Sequence, residues 1–125
     1  MRWLVDGMNV IGSRPDGWWR DRDGAVRDLV EALDALAAGA DPQVAVVFDG
    51  RPVELHPRRV AVRFAPRSGP NAADHEIVHL VEGDPDRGSL TVVTSDRALA
   101  ERVRALGAAV EGAGGFRRRL DELRE

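Results

Sequence analysis

Three aspartates stand where apolar stretches end. Asp6 closes Arg2-Trp3-Leu4-Val5-Asp6, Asp49 follows Gln43-Val44-Ala45-Val46-Val47-Phe48, and Asp96 comes just after Ser89–Thr94. A fourth, Asp74, falls in the first turn of a segment with helical periodicity. If the apolar stretches are parallel strands of one sheet, their carboxyl ends share a rim, and open α/β sheets bind ligands at that rim. Carboxylates gathered there repel one another, so at neutral pH they take up protons or hold a cation. Hard oxygen ligands suit Mg²⁺ or Mn²⁺, and such an ion recruits phosphates and assists displacement at a phosphodiester. Any one of these residues could instead cap a helix or begin a turn. Four unpaired acids on one buried rim would cost stability that capping does not explain.

A second constellation lies beside Asp74. His75-Glu76-Ile77-Val78-His79 fits HExxH, in which two His on one helical face grip Zn²⁺ and Glu acts as general base. The extended form of that motif needs Gly and His where this chain has Glu82 and Pro85, and the other His, His56, lies upstream. At ~100° per residue, Ala73, Ile77, Leu80 and Val81 share a face. His75, His79 and Glu82 fall opposite, as a solvated polar face, with Asp74 at the border.

Nucleic-acid chemistry has its own candidates. Trp18-Trp19 lie among Arg14, Arg20 and Arg22. Aromatic faces stack unpaired bases and Arg neutralises phosphate, although one of the two Trp is expected to pack its loop onto the core. Arg51 and Arg97 follow strand-end acids and Arg67 precedes Asp74. Each can steady a phosphate or pair with the acids when no substrate is bound, Arg97 foremost because it directly follows Asp96. The run Arg117-Arg118-Arg119, with Asp121, Glu122 and Glu125 after it, reads as a self-paired surface.

The elements that would position these residues alternate. Strands are expected at 2–6, 43–48, 60–64 (weaker, an edge), 89–94 and 109–110. Helices are expected from Asp21 or Asp23 to about Ala38, from Pro70-Asn71 to about Glu82, after Asp96 to Gly107, and along Phe116, Leu120 and Leu123. The stretch from Gly7 to Arg22 reads as a long loop and Gly112–Gly115 as a linker. Strand–helix alternation implies an α/β fold, a three-layer domain over 1–125 with a mostly parallel central sheet.

Composition narrows the field. The chain has 125 residues, net charge −3, no Cys and 18 basic residues, all of them Arg. Disulfides, thiolate chemistry, Schiff-base Lys and the phosphate-loop Lys are excluded. A cytoplasmic setting fits; the early Asp6 does not suit a signal peptide, and no apolar run approaches the ~20 residues of a membrane span. A haloacid dehalogenase-type phosphatase would need Asp where Met8 stands, a receiver domain needs Lys, and the Gly-rich turn of a dinucleotide fold is missing after the first strand.

The residues Val5-Asp6-Gly7-Met8-Asn9-Val10-Ile11-Gly12, then Val46-Val47-Phe48-Asp49, Ala73-Asp74-His75-Glu76-Ile77 and Val92-Val93-Thr94-Ser95-Asp96-Arg97 together resemble the NYN domain family, in particular its YacP-like branch of PIN-like nucleases. The resemblance runs along nearly the whole chain. It implies a PIN-like fold and metal-dependent endoribonuclease activity on RNA, single-stranded or ribosome-associated. By that resemblance Asp6, Asp74 and Asp96 are metal-binding and catalytic acids and Asp49 a further one. Asn9 orders the first loop, and Ser95 is auxiliary. The family often has Glu where Asn71 stands, which leaves one carboxylate fewer here. Two other expectations stand beside the nuclease: a catalytically weak RNA- or protein-binding module, and a zinc protease through His75 and His79. The edge at 60–64 offers a surface for homodimer pairing.

Overall fold

The computed structural model describes residues 1–39, 42–66, 69 and 71–124. Five strands, β1 (Arg2–Asp6), β2 (Gln43–Phe48), β3 (Ala61–Phe64), β4 (Leu90–Val93) and β5 (Ala109–Glu111), form one sheet in the order β3-β2-β1-β4-β5. Every neighbouring pair is parallel. The helices are α1 (Gly7–Ile11), α2 (Arg22–Ala37), α3 (Ala72–Glu82), α4 (Arg97–Ala105) and α5 (Ala113–Leu123). Among the described residues, none is long and apolar enough to cross a membrane.

Period-two alternation sorts side chains onto two faces of the sheet. Trp3, Val5, Val46, Phe48 and Val93 pack with Val26, Leu33, Phe116 and Leu120 of α2 and α5. Leu4, Val47 and Val92 pack with Ile77, Val81, Leu99 and Val103 of α3 and α4. Asp6 and Thr94 lie two residues beyond Leu4 and Val92, so the same alternation turns them toward α3 and α4. Asp49 is in step with Val47.

The expected strands and long helices are present, and β3 is an edge strand as its weak pattern suggested. Asp21 caps α2 by accepting the Gly24 N–H at 3.0 Å. Pro70 lies outside the described residues. Three expectations need correction. The first turn after β1 is not loop: Gly7–Ile11 coils into α1 because Val10 and Ile11 are driven into the α2/α5 core. A short 3₁₀ turn at Trp18–Arg20 follows it. Gly112–Gly115 is no linker either, since Ala113, Gly114 and Gly115 form the first turn of α5, anchored by buried Phe116. Leu123, expected on the apolar side of that helix, is 51% exposed.

The sharp exit from β1 depends on Gly7. A Cβ there would stand 2.4 Å from the Phe48 ring and 3.0 Å from Val46, both fully buried. Gly7→Ala is therefore expected to destabilise the fold by about 1–3 kcal/mol, read as a lower urea midpoint. An unchanged midpoint would show that the close approach is not a constraint.

Candidate acidic site at the strand ends

Asp6 is the last residue of β1 and stands at the N-terminus of α1, but its carboxylate does not cap that helix. It is 5% exposed and accepts one hydrogen bond, from Thr94 Oγ1 to Oδ2 at 2.9 Å. The same Thr94 oxygen accepts the Asp96 N–H at 3.1 Å. Asp96 Oδ1 accepts the Leu99 N–H at 3.1 Å and caps α4. Thr94, itself buried, thus ties Asp6 to the turn that carries Asp96. Asp74 sits half-buried in the first turn of α3. Asn71 precedes that helix at a left-handed φ of 65°, and its side chain makes no capping bond.

The four acids share one electrostatic environment. Burial pushes the Asp6 carboxyl up to about 7 from an ordinary 3.8; the Thr94 hydrogen bond opposes the rise, and repulsion from Asp74, Asp49 and Asp96 adds to it. The Asp74 carboxyl is also raised, by burial and then by Asp96 and Asp49, with His75 and Arg102 working against the rise. Among the described residues, none of the four acids has an ion-pair partner, although Asp23, Asp84, Asp121, Glu76 and Glu111 all do. Among those residues, too, no three His, Asp or Glu side chains close into a ready metal cage. The acids feel one another's charge without converging on a preformed point.

The other expected residues divide. Asn9 Oδ1 accepts the Ser95 N–H at 2.8 Å, and Ser95 Oγ accepts the Ala113 N–H at 2.9 Å, so this pair fastens α1, the turn after β4, and α5 together beneath the rim. Arg97 is exposed and unpaired among the described residues. Arg51 is engaged by Asp23, with both oxygens at 3.0 Å, and Arg14 pairs with Asp121 of α5, so neither guanidinium is free. Arg67 lies outside the described residues. Trp18 packs half-buried against the α2/α5 core and Trp19 is 58% exposed, which divides the two roles expected of the pair. His75 and His79 are exposed, and Glu76 is bound to Arg63 at 2.8 Å, as a solvated helix face requires. Two residues have positioning roles that the sequence did not show. Thr94 is a polar end to a buried strand, a signal the pattern did carry. Arg22, read in the sequence as one of the cations beside Trp18-Trp19, donates instead to the Asp49 carbonyl at 2.6 Å and the Arg51 carbonyl at 3.1 Å and holds the turn after β2.

The family model for the YacP-like NYN domain matches residues 3–125. The crystal structure of Rae1 (YacP) from Bacillus subtilis superposes with a TM-score of 0.79 at 24% identity, covering 99% of this chain and 75% of that one. A tryptophan-to-leucine variant of the same protein gives 0.81 at 24% identity, with 98% and 76% covered. No curated protein matches the chain by sequence.

The burial of Asp6 has a consequence for stability. Between its unfolded value of 3.8 and its folded value of about 7, the folded protein keeps a proton that the unfolded chain has lost. Stability therefore falls as pH rises through that window, by on the order of a few kcal/mol, and stays lowered above it. Asp6→Asn removes the charge and keeps an acceptor for Thr94. It is expected to raise the melting temperature at pH 8 by roughly 5–10 °C, with the gain vanishing toward pH 4. Equal melting temperatures at pH 8 would contradict the raised value.

Proposed function

The chain belongs to the YacP-like NYN family, whose fold is that of the PIN-like nucleases, and from this premise we propose that it is a metal-dependent endoribonuclease. The observation that carries the reading is the set of four acids made by buried Asp6 with Asp49, Asp74 and Asp96 near it, none of them ion-paired among the described residues. Its donors are all oxygen, which suits a hard divalent cation and not zinc. Asp6, Asp74 and Asp96 would hold Mg²⁺ or Mn²⁺, with Asp49 as a further acid. A bound cation would make water acidic enough to attack and would offset charge developing on the phosphate.

The chain's own residues supply the rest. Thr94 Oγ1 fixes the face that Asp6 presents and, through the Asp96 N–H, the start of α4. Asn9 and Ser95 hold the turn after β4 in place. Carboxylate oxygens left free by the cation would take the proton from the attacking water. Arg97 neutralises phosphate beside Asp96, and Trp19 offers an open ring to an unpaired base. Arg51 would join them by exchanging Asp23 for phosphate. The RNA is single-stranded or ribosome-associated, and the compartment is the reducing cytoplasm that a Cys-free chain tolerates. The 1–125 segment would act as one nuclease domain.

A second reading, a binding module without turnover, draws on Asn71, which leaves the entrance to α3 without a carboxylate. Cleavage of a labelled mixed-sequence RNA in Mn²⁺ separates the two. The nuclease reading expects products that disappear with EDTA and with Asp74→Asn, and that persist in His75→Ala and His79→Ala. RNA bound by the wild-type protein but left intact would favour the binding module. Trp19→Ala is expected to weaken RNA binding roughly tenfold at an unchanged melting temperature. Trp18→Ala is expected to lower the melting temperature instead, and equal behaviour of the two variants would contradict the division.

A further inference from the structure

Beside the acids, where β4 and β5 end, lies a cavity of about 470 Å³ that continues from Arg97 along α4 to Arg104, a residue with no role in the chemistry proposed above. Its walls include Thr94, Ser95, Arg97, Glu101, Arg104 and Gly112. Arg97, Glu101 and Arg104 fall at spacings of four and three along α4, so they form one stripe of that helix. Val110 of β5 lies across from them. The floor is stiff, because Ser95 is tied by its N–H to Asn9 and by its Oγ to Ala113. Thr94 belongs to both places: its hydroxyl serves Asp6 and Asp96, and the residue also lines the cavity.

The groove carries two guanidinium groups against one carboxylate. Eight other arginines, at positions 2, 14, 22, 51, 63, 117, 119 and 124, are in ion pairs. Arg97 and Arg104 have no such partner among the described residues, a state they share with seven further described arginines; what sets these two apart is that they line one cavity beside the acid rim, with one carboxylate, Glu101, between them. The chain carries net charge −3 and the neighbouring rim holds four acids, so a polyanion approaching that rim needs cations immediately beside it. Guanidinium is the side chain best shaped to grip a phosphate. The cavity, at about 470 Å³, falls within the ~300–1,000 Å³ of typical ligand sites.

We propose that the groove between α4 and β5 binds a backbone phosphate of single-stranded RNA next to the bond being cut, through Arg97 and Arg104. The inference rests on the nuclease reading for its substrate. It adds a direction: the strand leaves the acid rim along α4, on the side of the sheet away from β2 and Asp49.

The test is anisotropy of a labelled single-stranded RNA on the full chain in EDTA, over a range of salt, followed by kinetics in Mn²⁺. Arg104→Ala is expected to weaken binding several-fold on every sequence and to lower the salt slope by roughly 0.7, one phosphate contact on a single strand. Arg104→Glu should weaken it further, and Arg104→Lys should keep the slope. The melting temperature should not move, because Arg104 is exposed. With Mn²⁺, KM should rise while kcat holds. Unchanged affinity and slope in both Arg104→Ala and Arg104→Glu would overturn the groove, as would a wild-type protein that binds no RNA. The nuclease reading fails separately: a wild-type protein that binds through Arg104 but never cleaves would sink that reading and leave the groove standing.

Discussion

A carboxylate buried at the end of a central strand with a single hydrogen-bond donor is a cost that the rest of this structure is arranged around. Asp6 is almost fully covered, and among the described residues only the Thr94 hydroxyl answers its charge. A buried acid ordinarily acquires a cationic partner, because an unpaired charge in low dielectric is expensive. This protein has 18 arginines, and none of those described is set against Asp6. Arg22, the guanidinium that comes to the turn after β2, spends its donors on the carbonyls of Asp49 and Arg51. Burial first, and then the charge of the neighbouring acids, raises the proton affinity of Asp6 and Asp74, and perturbed carboxyls of this kind gather at functional sites.

The sheet explains how four acids from distant parts of the chain meet. Because all five strands run parallel, every strand end is on one rim, and the central position of β1 sets Asp6 between the ends of β2 and β4. Helices α3 and α4 both begin at that rim, which delivers Asp74 and Asp96 in their first turns or caps. Stiffness comes from below. Gly7 lets α1 turn against Phe48, and the Asn9–Ser95–Ala113 chain locks α1 to the neighbouring turn and to α5. The site is thus built on packed elements, with its polar groups held by backbone donors.

Much of this was legible in the sequence, and the gaps have physical causes. Apolar runs ending in Asp marked β1, β2 and the rim, because a strand covered on both faces must be apolar until it reaches solvent. The border position of Asp74 followed from the 3.6-residue period. The α1 turn was not legible, because its five residues are too few for periodicity and its Gly reads as loop; burial of Val10 and Ile11 makes it helical. Gly114 and Gly115 likewise suggest a linker until Phe116 pins the helix they begin. Arg14 and Arg51 were read by their neighbours in sequence, yet their partners, Asp121 and Asp23, are far along the chain. Only tertiary structure supplies such pairings.

Repulsion from Asp74, Asp49 and Asp96 adds to the cost of burying Asp6, and a divalent cation among these acids, as proposed, would relieve it. The most direct measurement is the titration of the Asp6 carboxyl carbon by NMR, with and without Mg²⁺. A midpoint near 7 is expected without the ion, and a marked downward shift with it. A midpoint in the ordinary carboxylate range that Mg²⁺ does not move would contradict both.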